Sequence, residues 1–236
     1  MLLALESSGL TAGCAVIDNG RLLGEYNTNF KKTHSETLLP MAEALLNMLE
    51  ISPADLTAVA VSAGPGSFTG LRIGSATAKG IALALDIPIV PVPTTAGIAY
   101  NLYDTPGILC PIMDARRDQV YTGCYRWKDS LFETLTEQRA MDIEELSEEL
   151  KTYKENIIFL GDGVNVYKDR IDEILESPHS YAPEHLRYQR AGAMGMLAWK
   201  YLEEGRAIPG DEHSPFYLRK SQAERELLEK EAESGK

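Results

Sequence analysis

Residues 62–74 read Ser62-Ala63-Gly64-Pro65-Gly66-Ser67-Phe68-Thr69-Gly70-Leu71-Arg72-Ile73-Gly74. An apolar run, Ala58-Val59-Ala60-Val61, precedes them, and helix-forming residues continue to about residue 85. A strand, a glycine-rich turn and a helix in this order is the place where α/β proteins often bind phosphate. The standard phosphate patterns nevertheless fail here. A Walker A loop needs lysine and then serine or threonine after its last glycine, whereas Gly70 is followed by Leu71 and Arg72. A dinucleotide loop beginning Gly64-Pro65-Gly66 would need glycine at position 69, where threonine stands. Pro65 also removes a backbone donor. The loop therefore reads first as a tight turn that serves packing, and second as a phosphate contact.

Residues 58–62, 70–85 and 89–91 form a strand–helix–strand unit. Ahead of it, residues 2–6 and 14–17 read as strands, and Asn19-Gly20 marks a hairpin turn into a returning strand over 21–27. Thr33 and Glu36 have capping-box spacing for a helix reaching about residue 49, with Pro40 either kinking it or delaying its start. Ser52-Pro53-Ala54-Asp55 suits a short helical turn. A further helix is expected over 94–102, and the turn chemistry of Asp104-Thr105-Pro106-Gly107 marks the best boundary.

Beyond that boundary the pattern repeats. An apolar strand over 108–113 ends in Asp114, as residues 2–5 end in Glu6, 108 positions earlier. Strands over 120–126 and 131–135 complete a second meander. Asp142 and Glu145 suit another capping box, and residues 157–160 run into Gly161-Asp162-Gly163 before another helix. Long helices are expected over 190–204 and 222–232. The expected organisation is two similar α/β lobes, residues 1–104 and 105–236.

The totals bound the function. Of 236 residues, 35 are Asp or Glu and 23 are Lys or Arg, a net charge of −12. That balance disfavours a self-sufficient nucleic-acid binder but permits a subunit whose partner holds the nucleic acid. Cys14, Cys110 and Cys124 have no metal-site spacing. The opening MLLALES reads as a strand rather than a leader, and no apolar stretch approaches membrane-spanning length. Cytoplasm is the expected location.

Two helices carry unusual surfaces. Gly74, Ala78 and Ala82, with Ser75 beside them, form a stripe with almost no side-chain volume, next to Thr77, Ile81 and Leu85. In the preceding helix Leu38, Ala42, Leu45 and Leu49 form one apolar line, widened by Leu39, Met41, Leu46 and Met48. One reading offers these faces to a second chain; the other covers both inside the monomer. Glu6, Asp114 and Asp162 sit at strand ends where a carboxylate could hold a metal or a nucleotide-bound water. His34-Ser35-Glu36 is compact enough for chemistry but suits a helix start better. The four histidines are scattered, the hydrolase nucleophile elbow is absent, and no catalytic set emerges.

ALESSG at 4–9, THSETLLPM at 33–41, SAGPGSFTGLRIG at 62–74, AKGIA at 78–82, MDARRDQVY at 113–121 and SPFYLR at 214–219 together resemble the TsaB (YeaZ) family. The resemblance implies two tandem ribonuclease-H-like lobes of the ASKHA, or actin-like ATPase, fold: an α/β architecture of mixed sheets flanked by helices. It implies a noncatalytic subunit that supports a TsaD-like enzyme in making N6-threonylcarbamoyladenosine at position 37 of tRNA, with a TsaE-like ATPase joining the assembly. A homodimer in isolation and tRNA contact mainly through the complex are also implied. TsaD-like enzymes carry a metal-binding H-x-x-x-H pair; Pro93 and Gly97 stand at the matching places here, so no catalytic, metal or cofactor residue is expected. Glu6 stands where the family usually has aspartate. The family's interface helices fall on residues 35–49 and 70–85. The expected interface is thus Leu38, Met41, Ala42, Leu45, Leu49, Leu71, Gly74, Ser75, Ala78 and Ala82. A small-molecule kinase of the same fold and a stand-alone homodimeric binding protein are the alternatives.

Overall fold

In the first sheet, β1 (Leu2–Glu6) pairs antiparallel with β2 (Ala12–Asp18), which pairs antiparallel with β3 (Arg21–Thr28). On its other side β1 runs parallel to β4 (Ala58–Gly64), and β4 to β5 (Ile89–Pro93). The β2–β3 turn places Asn19 at φ 48° and Gly20 at φ 70°, the left-handed pair that matches strand twist. This computed structural model describes residues 1–30 and 33–219; the helix expected over 222–232 lies outside the described residues.

The second sheet is built from β6 (Ile108–Arg116), β7 (Gln119–Lys128), β8 (Leu131–Asp142), β9 (Ile157–Leu160) and β10 (His179–Tyr181). Its order, β8-β7-β6-β9-β10, is that of the first sheet, β3-β2-β1-β4-β5, with each strand advanced by five. The directions match as well, antiparallel from β6 to β8 and parallel from β6 to β10. The repeat expected from Glu6 and Asp114 is therefore a repeat of topology. β10 is absent from the sequence reading: three residues beside Pro178 carry too little periodicity to register.

Strand alternation distributes the core. Leu3, Leu5, Val59 and Val61 face α1 (His34–Met48) and α2 (Phe68–Leu85). Leu2, Ala4, Ala58 and Ala60 face the opposite way, against α3 (Thr94–Ala99) and α7 (Ala191–Glu203). In the second sheet, Ile108, Cys110 and Ile112 pack under α4 (Ile143–Leu150) and α5 (Val164–Ile174), while Leu109 and Met113 join the central layer. One apolar layer containing α3 and α7 thus lies between the sheets. Helix α7, which follows the one-turn α6 (Glu184–Arg187), belongs by position to the second half of the chain, yet it packs on β1, β2 and β3.

Local capping differs from expectation in two places. The Thr33 hydroxyl donates to the Glu36 carboxylate at 3.0 Å and does not cap the backbone of α1. Pro40 is tolerated inside α1 with its ring on the exposed side. Asp142 caps α4 by accepting the Glu144 N–H at 3.0 Å, without help from Glu145. The Ser52–Asp55 capping box closes as expected.

The small stripe of α2 requires a correction. Leu71, Gly74, Ser75, Ala78 and Ala82 are buried within the first lobe, as are Leu38, Ala42 and Leu45 of α1. A Cβ on Gly74 would stand 2.3 Å from the Ser7 hydroxyl and 3.4 Å from Val61. The stripe allows α2 to lie close on its own sheet, so it does not face another chain. Met41 and Leu49 are half-buried against the same core.

Candidate functional site

The glycine loop is shaped by the end of β1. A Cβ would meet the Ser8 carbonyl at 2.2 Å from Gly66 and the Ser7 carbonyl at 2.1 Å from Gly70. Only glycine permits two backbones to pass this closely. Ser67 N–H donates to the Ser8 carbonyl at 2.7 Å, and the Ser7 hydroxyl donates to the Gly70 carbonyl at 2.8 Å. The Gly70 and Leu71 N–H groups turn back onto Ser67. Those of Phe68 and Thr69 find no acceptor among the described residues. These contacts pack the loop tightly against the end of β1, in keeping with the first of its two readings.

Glu6 is held inside this junction. Its carboxylate accepts the Ser8 N–H at 2.7 Å, the Ser8 hydroxyl at 2.5 Å and the Ser62 hydroxyl. Burial pushes its pKa up, against these bonds, which favour the charged form. His34 opens α1 and its Nε2–H donates to the Gly9 carbonyl at 2.8 Å, tying the helix start to the same turn. Glu6 and His34 thus brace the β1–β2 connection, where sequence spacing also allowed chemistry.

An interlobe cleft of about 990 Å³ opens beside this junction. Asp114 and Asp162 line it together, whereas Glu6 does not. Burial raises the Asp162 pKa to about 6, and the nearby Asp114 charge adds to the effect. Asp162 Oδ1 has no hydrogen-bond partner among the described residues. Asp114 is exposed and accepts the Tyr167 hydroxyl at 3.2 Å and the Arg116 N–H at 2.8 Å. No group of three or more His, Cys, Asp or Glu suited to a metal occurs among the described residues.

A terminal strap crosses the cleft, and its structural role was not legible from its motif. Phe216 N–H donates to the Ala63 carbonyl at 2.6 Å, and a Cβ on Gly64 would collide with the Phe216 carbonyl. Tyr217 packs on Phe68 with ring centroids 4.6 Å apart. Arg219 then donates to the Ala115 and Arg116 carbonyls of the second lobe.

On the outside of the first lobe, α1 and α2 lie side by side and leave an apolar surface exposed. Leu39, Ala44 and Met48 project from α1, and Ala76, Gly80, Leu83 and Ala84 from α2. Leu83 is 86% and Met48 70% exposed. A Cβ on Gly80 would meet nothing within 4 Å. Ala76, Gly80 and Ala84 therefore form a second small stripe, turned outward where the Gly74 stripe is turned in.

A protein from Bacillus subtilis, "tRNA threonylcarbamoyladenosine biosynthesis protein TsaB", is 34% identical over 97% of this chain and 98% of its own length. The chain belongs to the TsaB family. The Escherichia coli TsaB is 26% identical to this family member over 98% of the chain and 99% of its own length. The solved structure of YeaZ from Pseudomonas aeruginosa superposes with a TM-score of 0.80 at 26% identity, covering 92% of this chain and 99% of that one. The family model described as TsaD, tRNA N6-adenosine threonylcarbamoyltransferase, also matches residues 23–227, so the TsaB chain shares its pattern with the enzymes of that name. Pro93 ends β5 and Gly97 lies in α3 against Met194, and neither side chain can ligate a metal.

Proposed function

We propose that this chain is the noncatalytic docking subunit of a tRNA adenosine threonylcarbamoyltransferase, pairing with a TsaD-like catalytic chain through α1 and α2. Membership of the TsaB family carries the reading. The exposed apolar surface of the two helices supports the location. Outward small residues at Ala76, Gly80 and Ala84 let a partner helix approach closely, while Leu39, Met48 and Leu83 supply apolar area. Docking belongs in this account to the lobe of residues 1–104, with α7 returning to support its sheet.

The alternative of a small-molecule kinase would place Glu6 beside nucleotide in the cleft. Glu6 instead lies buried under Ser8 and Ser62, which favours the docking reading. A TsaE-like ATPase completes the proposed assembly, and homodimerisation through the same face is the state proposed for the isolated chain. Reconstitution of adenosine modification with each subunit omitted in turn tests the proposal. Modification should disappear without this chain, and the chain alone should leave both ATP and the threonylcarbamoyl adenylate unreacted. Full modification in its absence would overturn the assignment.

A further inference from the structure

We infer that the mouth of the interlobe cleft binds single-stranded RNA, with Arg72, Arg116, Arg117 and Arg219 on its phosphates and Phe216 and Tyr217 against its bases. The inference rests on the tRNA-modifying assignment above and adds to it a direct RNA contact by this subunit.

The arginines show where. In a chain of net charge −12, an exposed arginine readily finds a carboxylate. Arg126, Arg139, Arg170, Arg187, Arg190 and Arg206 all do so. Among the described residues, Arg21, Arg72, Arg116, Arg117 and Arg219 form no ion pair. Except for Arg21, these belong to one place: Arg72, Arg116 and Arg219 line the cleft, and Arg117 is the exposed neighbour of Arg116 in the β6–β7 turn. No carboxylate among the described residues neutralises them: Arg219 donates to the Ala115 and Arg116 carbonyls and Arg72 lies over the Phe68 ring, so each brings a positive charge to the rim.

The aromatic residues show what. Phe216 is 50% and Tyr217 38% exposed at the same rim. The Arg72 guanidinium lies 4.0 Å over the Phe68 ring, and Phe68 packs on Tyr217. Arginines interleaved with aromatic faces suit an unpaired strand, whose phosphates need cations and whose bases need stacking surfaces. Asp114 and Asp162 in the same lining oppose a polyphosphate held between the lobes, so the strand is placed along the arginines and the aromatic rings.

The test uses the assembled complex with its TsaD-like partner and unmodified tRNA, followed by fluorescence anisotropy over a salt series. The Arg116→Asn/Arg117→Asn variant retains residue types that accept the left-handed backbone of this turn, where φ is 63° and 58°. It lies on the lobe opposite α1 and α2. It should weaken tRNA binding about tenfold and make the slope of log affinity against log salt shallower by ~1.4, at ~0.7 per lost phosphate contact. Tyr217→Ala should weaken binding while leaving that slope unchanged. Unaltered affinity and slope for both variants, in complexes that assemble normally by calorimetry, would overturn the inference and leave the docking assignment intact. Displacement of the tRNA by stoichiometric Mg-ATP would also overturn it, by showing a nucleotide pocket. Failure of the unaltered chain to assemble with its partner would instead remove the docking assignment; the same tRNA titration on the chain alone then decides the RNA contact.

Discussion

The Glu25 carboxylate on β3 accepts the N–H of Gly192, 167 residues further along the chain, at 3.0 Å. Its other oxygen takes Arg190 at 2.8 Å, and Asn27 accepts the Ala191 N–H at 3.1 Å. The first turn of α7 is thus capped by a strand of the first lobe, and its orphan donors are satisfied non-locally. An acidic side chain at a helix start is also favoured by the helix dipole. Glu25→Ala should lower stability by about 1–3 kcal/mol, since it strands the Gly192 donor and the Arg190 charge. Glu25→Gln keeps an acceptor and should cost less. Urea denaturation of both variants checks the order; equal losses would show that the acceptor is not what matters.

Two glycines of α2 should respond oppositely to the same methyl group. Gly70→Ala puts a Cβ 2.1 Å from the Ser7 carbonyl, in backbone that cannot rotate away, and should cost several kcal/mol. Gly80→Ala has open space and lies within the helix, so it should stabilise the chain by up to about 1 kcal/mol. Thermal melts of the pair provide the comparison, and destabilisation by Gly80→Ala would show that the face is already covered.

The two small stripes separate folding from docking. Ala78→Arg forces a charge into a core position of 0% exposure and should abolish folding. Ala76→Arg, on the exposed side, should leave circular dichroism and melting temperature nearly unchanged. Against a TsaD-like partner it should reduce affinity by roughly a hundredfold, equivalent to about 3 kcal/mol. Calorimetric titration measures this, and retained affinity would place docking elsewhere.

Asp162 gives the lobe a pH dependence of known sign. Its folded pKa, raised to about 6 from 3.8, means that the native state binds more protons than the unfolded chain between those values. Stability therefore falls as pH rises through that window and stays reduced above it. Asp162→Asn removes the charge and should raise stability at pH 7 by up to about 3 kcal/mol. The gain over the unaltered chain should shrink steadily below pH 6. A gain independent of pH would show that the benefit comes from packing rather than from the carboxylate.

Residue order was enough to expose the repeat, because each meander carries its own turn chemistry and a carboxylate late in its first strand, Glu6 as the last residue of β1 and Asp114 two residues before the end of β6. Asn19-Gly20 marks the first hairpin locally and adopts the left-handed backbone; at the second hairpin, read from sequence at Lys128-Asp129, the left-handed pair is Asp129 and Ser130. The loop at 62–74 announced tight packing through what it lacks: a lysine after Gly70, a glycine at 69 and a donor at 65. Motifs spread from Ala4 to Arg219 were enough to place the family. Each of these features depends on neighbours in sequence.

Tertiary structure alone decided which side of α2 is free. Gly74, Ala78 and Ala82 on one side and Ala76, Gly80 and Ala84 on the other are both small and both helically spaced, so periodicity cannot tell them apart. The Ser7 hydroxyl and Val61, from β1's end and β4, settle which stripe lies against the sheet. The placement of α7 on the first lobe likewise depends on Glu25 and Asn27, more than 160 residues away. Local chemistry specifies an element and its amphipathic faces; only long-range packing determines which face is covered and which is left for a partner.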